Sequence, residues 1–239
     1  MKTLVILPYY NRPKLLENAL KSLRDSTNQD WVCAFIDDAS PTTEGVDLVH
    51  SILGKALSEG RVKIYVVPSD LKESMKWTTQ PIFMNRAMRE IDSDLTMILC
   101  DDDALVSDYI DNCVSWFSMN PSTLYGFSNI RVYFPPSEAP CAELPIRAFF
   151  TNHLSPVCPV NTVDASQVVW RSKQALERKC FFDEARQYDH DASMWEAMWS
   201  ANYGLCPFMG FYGQYKGIHQ FQLSNMKGVT KHVLREENA

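Results

Sequence analysis

The chain has 239 residues, and 46% of them are hydrophobic, which is enough to build a substantial core and excludes fibrous, disordered and mini-protein classes. With 23 basic and 29 acidic side chains the net charge is −6, which argues against a molecule built to neutralise a nucleic-acid backbone. The seven cysteines are odd in number and include no CxxC pair. This pattern favours a reducing compartment and argues against a structural zinc site.

The N-terminal segment and the glycines narrow the class further. The opening stretch MKTLVILPYYN is interrupted at Asn11 and is too short for a secretory hydrophobic segment or a membrane span. We therefore expect a soluble, cytoplasmic protein. The nine glycines fit neither GxGxxG nor GxxxxGK, so the dinucleotide-binding fingerprint and the Walker A loop are excluded. A bound nucleotide must then be held by side chains, a metal or helix N-termini.

The first hundred residues alternate between strand and helix patterns. Buried-strand patterns cover residues 3–8, 31–36, 62–67 and 95–100. Helical patterns separate them: one follows Pro13, one carries Val49 and Leu53, and one follows Pro81. Four strands with three helical crossovers predict an α/β fold with a mainly parallel sheet covered by helices on both faces.

The order of elements changes after residue 103. A helix is predicted from about Ser107 to Met119, followed by strands near residues 124–127 and 131–134. Residues 135–159 hold six of the 13 prolines and predict an ordered loop or lid. Beyond it we predict a strand over 168–170, a helix over 189–201 and an irregular C-terminal part. We thus divide the chain into 1–134 and 135–239, the second part being smaller and forming one compact unit.

Carboxylates follow two strands of the predicted sheet. Asp37 and Asp38 end the second strand, and Asp101, Asp102 and Asp103 end the fourth. Parallel strands end at one edge of the sheet, where open α/β folds bind ligands. Three consecutive carboxylates repel one another, and a divalent cation can hold them ionised together. The alternative is that these residues only form turns and cap helices.

Several short motifs occur in a characteristic order along the chain. They are Ile6–Arg12, Phe35–Ser40, Asn85 within its helix, Asp101–Asp103, Phe181–Glu184 with Tyr188–Asp191, and Gly217–Leu223. This order resembles family 2 glycosyltransferases of the GT-A fold, and the last motif is similar to spore-coat-polysaccharide-type nucleotide-sugar transferases. The resemblance implies a GT-A-like sheet with a nucleotide-sugar-binding lobe over 1–134 and an acceptor-binding lobe within 135–239.

The resemblance also implies roles for individual residues. Asp38, together with Asp37, is expected to hydrogen-bond the nucleobase, and Asp102 and Asp103 are the favoured ligands of a DxD-type site for Mn²⁺ or Mg²⁺. His219 would add an imidazole ligand that favours Mn²⁺, or it is an ordinary structural histidine. The other donor-binding candidates are Pro8, Tyr9, Asn11, Lys76, Asn85 and Asp101.

The implied activity is a metal-dependent, inverting sugar transfer from a nucleotide diphosphate, most commonly UDP among similar enzymes, to a hydroxyl acceptor, for which we expect a glycan. A metal stabilises the charge on the departing diphosphate, and a carboxylate accepts the proton of the acceptor hydroxyl. Asp189 is expected to be that base, with Asp191 as the alternative, unless Asp189 only caps its helix.

Three alternatives to this activity stay open. One is a non-catalytic module that binds nucleotides or carbohydrates. Another is a glycosyltransferase acting on hydroxylated DNA bases, against which the negative net charge argues. The third is a nucleotidyltransferase, against which the absence of any glycine before residue 45 argues. The sequence leaves the sugar, the acceptor, the linkage and the oligomeric state open.

Overall fold

The computed structural model describes residues 1–75, 79–133, 163–185, 190–205 and 207–217. In chain order, the helices and strands are β1 (Thr3–Tyr9), α1 (Pro13–Arg24), β2 (Trp31–Asp37), α2 (Glu44–Ser58), β3 (Val62–Val66), α3 (Ser69–Met75), α4 (Gln80–Glu90), β4 (Leu95–Ile98), β5 (Asp103–Leu105), α5 (Tyr109–Met119), β6 (Tyr125–Tyr133), β7 (Val168–Arg171), α6 (Ser172–Glu177), α7 (His190–Ala201) and β8 (Phe208–Gly217). In this part of the chain, no helix is long and apolar enough to cross a bilayer.

Eight strands form one mixed sheet in the order β3-β2-β1-β4-β7-β6-β8-β5. β1 pairs in parallel with β2 and with β4, and β3 pairs in parallel with β2. β7 is antiparallel to both β4 and β6, β6 is parallel to β8, and β5 is antiparallel to β8. The predicted α/β fold, with a parallel sheet in the first hundred residues, is therefore confirmed.

The two faces of the sheet bury alternate side chains of the same strands. Along β1, Val5 and Leu7 join one core with α1, α2 and α5, whereas Leu4 and Ile6 join a second core with α4, α6 and α7. Successive side chains of a strand point to opposite faces, so a strand covered on both sides is a continuous apolar run. β1 is such a run, and all seven of its residues are buried.

Several elements differ from those predicted. The two strands expected near 124–127 and 131–134 are the single strand β6, whose register with β8 shifts on both sides of Asn129. β8 lies in a part of the chain for which we expected irregular structure. Gly210 and Gly213 interrupt the apolar pattern of this strand, so the sequence did not predict it. Gly213 is required by packing, since a Cβ there would lie 2.3 Å from the Tyr109 ring. The short helices α3 and α6 were not predicted.

The C-terminal part of the chain completes the sheet begun by the N-terminal part. β7 lies between β4 and β6, and β8 lies between β6 and β5. The predicted boundary at residue 134 lies outside the described residues, and the division into two lobes stays a prediction. Strand β4 ends at Ile98, and Asp103 is the first residue of β5 rather than part of a turn.

Candidate active site

The loops that follow β1 and β2 are hydrogen-bonded to each other at the edge where these parallel strands end. The Asp38 amide donates to the Tyr9 carbonyl at 2.9 Å, and the Asn11 amide donates to Ser40 Oγ at 2.9 Å. Asn11 and Ala39 have left-handed backbone conformations, with φ of 48° and 59°, which non-glycine residues adopt uncommonly. The two loops therefore turn sharply and are joined into one hydrogen-bonded surface at this edge of the sheet.

Asp37 and Asp38 are both buried, but their carboxylates have different surroundings. Asp37 Oδ1 accepts the Ser40 amide at 2.9 Å, which is the turn-forming role considered above. Asp38 Oδ1 accepts hydrogen bonds from the Thr79 amide and hydroxyl, and Asp38 Oδ2 pairs with Lys72 Nζ at 2.7 Å. The Asp38 carboxylate is thus oriented by a residue preceding α4 and by a lysine of α3.

The two tyrosines at the end of β1 are placed very differently. Tyr9 is fully buried against Phe35, whereas Tyr10 is 45% exposed. Burial raises the pKa of the Tyr9 phenol, and the Asp37 carboxylate adds to this effect. Lys72 Nζ lies 3.7 Å from the centroid of the Tyr10 ring, within the range of a cation–π contact. Tyr10, rather than Tyr9, therefore offers an aromatic surface at the sheet edge. Pro8 is buried within β1.

Arg12 connects the β1 loop to the carboxylates that follow β4. Its guanidinium forms a two-bond ion pair with Asp101, one bond running from Nε to Oδ2 at 3.1 Å and the other from Nη2 to Oδ1. A single contact of 3.3 Å joins Arg12 Nη1 to Asp102 Oδ2. Burial raises the pKa of Asp101 to about 6, although the charge of Arg12 opposes this shift.

Three side chains after β4 have ligand atoms close enough to hold one metal ion. These atoms, from Cys100, Asp102 and Asp103, all lie within 4.8 Å of one another. Hard carboxylate oxygens suit Mg²⁺ and Mn²⁺, whereas a thiolate favours softer ions. These metal-ligand atoms therefore fit a divalent ion at Asp102 and Asp103, the two ligands favoured from the sequence. Asp101 is outside this group and is paired with Arg12 instead.

Asn85 lies in α4, and its amide group contacts the segment that precedes α7. Asn85 Nδ2 donates to the Phe182 carbonyl at 2.8 Å and to Glu184 Oε1 at 2.9 Å, while Asn85 Oδ1 accepts the Phe182 amide at 3.0 Å. Only 1% of Asn85 is exposed. In this structure the amide connects the two segments, and its contact with a donor stays a prediction.

The acidic motif before α7 is only partly within the described residues. Asp191 lies in the first turn of α7, and its Oδ1 accepts the Ala192 amide at 3.0 Å. A carboxylate in the first turn of a helix also interacts favourably with the helix dipole. The candidate base Asp189, the candidate donor-binding residue Lys76 and the candidate ligand His219 lie outside the described residues.

Several residues at this edge had no role predicted from the sequence, among them Tyr10, Arg12, Lys72, Thr79 and Cys100. Tyr10 and Arg12 belong to the first motif, but a motif does not show which of its side chains is exposed. Thr79 becomes important only through a distant partner, since it bonds a residue 41 positions away, and spacing along the sequence could not have identified it. Cys100 directly precedes the three aspartates, but the sequence does not show that its thiol lies within 4.8 Å of the ligand atoms of Asp102 and Asp103.

Residues 4–138 match Glycosyl transferase family 2, and this segment is more than half of the chain. The chain belongs to this family. Over 134 residues it is 27% identical to protein CgeD of Bacillus subtilis (strain 168), an alignment that covers 55% of this chain and 30% of CgeD. The family assignment agrees with the resemblance inferred from the ordered motifs.

The fold is similar to that of S. aureus TarS. The crystal structure of TarS 1-349 matches with a TM-score of 0.67 and 14% identity, covering 91% of this chain and 60% of that chain. TarS 1-349 in complex with UDP-GlcNAc matches with a TM-score of 0.66 and 14% identity, covering 92% and 59%. This family 2 chain thus spans about 60% of the TarS 1-349 chains and 30% of CgeD, and at 14% identity the TarS likeness shows the fold alone.

Proposed function

We propose that this chain is a metal-dependent, inverting glycosyltransferase that moves a sugar from a UDP-sugar to a hydroxyl group of a glycan. The observation that carries the proposal is the grouping of Asp102 and Asp103 at the edge where β1 and β2 also end, in a chain of family 2. The complexes of TarS with UDP and UDP-GlcNAc support UDP as the nucleotide.

The nucleobase is proposed to bind beside Asp38 and Tyr10. Asp38 is oriented by Thr79 and Lys72, and its carboxylate is proposed to accept a ring N–H of the base. The 45% exposed ring of Tyr10 offers a surface for stacking on the base. The turn at Asn11 lies between this surface and Arg12 and is proposed to face the ribose.

The diphosphate is proposed to lie over the ends of β4 and β5. Asp102 and Asp103 would hold a divalent ion, which stabilises negative charge on the departing nucleotide diphosphate. Asp102 lies in a turn that is closed by the Asp103 amide, which donates to the Cys100 carbonyl at 3.1 Å. Asp103 begins β5, where it is paired with β8. The backbone therefore fixes these ligands before the donor arrives.

The proton of the acceptor hydroxyl is proposed to pass to Asp189, with Asp191 as the second candidate. Asp191 already accepts a hydrogen bond from the Ala192 amide, which suits a capping role better than that of a free base. Direct displacement of the diphosphate by an acceptor deprotonated at the opposite face of the sugar would invert the anomeric centre.

The proposal is tested by ligand-dependent melting followed by turnover. UDP-, GDP-, CDP- and dTDP-sugars are compared with and without Mn²⁺, and release of UDP is then measured with candidate glycans. We expect the melting temperature to rise with a UDP-sugar and Mn²⁺, and this rise to be lost in Asp102→Asn. The control is Asp92→Asn, since the side chain of Asp92 is 80% exposed, and it should behave as the parent protein.

Equal shifts with every nucleotide, with no effect of Mn²⁺, would contradict the proposal. A binding module would show the UDP-sugar shift without UDP release, so Asp189→Asn would have no release to abolish. A transferase acting on DNA would be retained on duplex DNA in a salt-dependent manner.

A further inference from the structure

Arg12 covers the carboxylates that follow β4. The side chain of Arg12 is 38% exposed, whereas those of Asp101 and Asp102 are each 2% exposed. Arg12 is therefore more accessible to solvent than the two carboxylates with which it pairs. A metal ion at Asp102 would lie close to this positive charge.

The contacts of Arg12 with the two carboxylates are unequal. Asp101 receives two bonds, from Nε and Nη2, in the forked geometry that matches a carboxylate to a guanidinium. Asp102 receives one bond from Nη1, and at 3.3 Å it is longer than the usual distance between a charged nitrogen and a carboxylate oxygen. The bond with Asp102 is thus the weaker of the two interactions.

We propose that Arg12 is a positioning residue that holds Asp101 away from the metal and competes with a divalent ion for Asp102. This inference rests on the metal site of the proposed function. An ion at Asp102 Oδ2 would share that oxygen with a guanidinium, and two like charges at one oxygen repel each other. Binding of an ion would therefore weaken the contact of Arg12 Nη1 with Asp102 and leave the fork on Asp101 in place.

Two consequences follow for the nucleotide-free protein. Loss of the guanidinium removes the competitor, so the ion should bind more tightly. Lysine at this position keeps the charge but has no planar fork for Asp101, so it should retain much of the competition at Asp102.

The test is titration of the full chain with Mn²⁺ alone, with free Mn²⁺ measured by electron paramagnetic resonance. We expect Arg12→Gln to bind Mn²⁺ about tenfold more tightly than the parent protein, the change that corresponds to one hydrogen bond to a charged group. Arg12→Lys should stay close to the parent value. Circular dichroism establishes that each variant is folded.

Loss of Arg12 alone leaves the buried Asp101 without its fork, and this variant could fail to fold. A second comparison, of the single variant Asp101→Asn with the double variant Arg12→Gln/Asp101→Asn, avoids a buried unpaired carboxylate. Both of these variants have a neutral side chain at position 101. Within this pair, too, loss of the guanidinium should tighten Mn²⁺ binding about tenfold.

Equal or weaker Mn²⁺ binding in the folded Arg12→Gln variant would overturn the inference, as would absence of Mn²⁺ binding in all variants. These failures are distinct from failure of the proposed function. If the protein releases UDP from a UDP-sugar without Mn²⁺, the proposed sugar transfer stands and the proposed role of Arg12 fails. If the variants show the expected Mn²⁺ affinities but the protein binds no nucleotide, the role of Arg12 stands and the proposed transfer fails.

Discussion

Replacing Asn85 with alanine tests whether α4 anchors the segment that leads to α7. The substitution removes the two hydrogen bonds between the Asn85 amide group and the backbone of Phe182, at 2.8 and 3.0 Å, and the 2.9 Å bond to Glu184. Only 1% of Asn85 is exposed, so water cannot readily replace these partners. At about 1–3 kcal/mol for each of the two buried backbone groups of Phe182 that lose a bond, we expect the free energy of unfolding to fall by about 2–6 kcal/mol.

The assay is urea denaturation followed by circular dichroism, with the slope of the transition checked for each variant. The control is Arg86→Ala, the next residue of α4, whose side chain is 55% exposed and pairs with Glu90. An exposed ion pair one helical turn apart contributes little to stability, so this variant should change the free energy of unfolding little. A loss below about 1 kcal/mol in Asn85→Ala, or equal losses in the two variants, would refute the anchoring role.

Two further predictions concern packing and pH. In Gly45→Ala a Cβ would lie 2.2 Å from Cε1 of the buried Tyr9 ring, so we expect a loss of about 1–3 kcal/mol in urea denaturation; a gain in stability would show that the ring moves aside freely. Hydrogen bonds from Lys63 and Arg86 lower the pKa of Glu90 to about 2, so its contribution to stability is present above its ordinary value of 4.5 and is lost as pH falls toward 2. The loss of stability on acidification should be smaller in Glu90→Gln than in the parent protein, and 1 M salt should reduce the difference because the pair is exposed; equal pH profiles would contradict this.

Apart from the short helix α3, the strands and helices of the first hundred residues were predictable because each carries its own pattern. The continuous apolar runs of β1 and β2 are buried on both faces, and Pro13 begins the helix that follows β1. Local composition was enough there because a strand covered on both sides is a continuous apolar run and a helix that packs on a sheet has an apolar face at helical spacing. The placement of carboxylates at one sheet edge then followed from topology alone.

The remaining features depend on contacts between distant residues. The two bonds of Arg12 with Asp101 span 89 positions, and those of Asn85 with Phe182 span 97. β8 was missed because its glycines hide the alternation, although one of them is demanded by the ring of Tyr109. No local sequence pattern predicts which carboxylate a particular arginine will pair with.

The position of β7 between β4 and β6 has a consequence for how the site is assembled. The segment matched to the family ends at residue 138, yet the strand that joins its two halves begins only at Val168, and the partner of β5 ends at Gly217. During synthesis on the ribosome, Asp103 of β5 can therefore pair with β8 only after most of the polypeptide has been made. A fragment cut after the matched segment would expose the open edges of β4 and β6, so a minimal catalytic piece cannot be obtained by trimming this protein to its recognisable part.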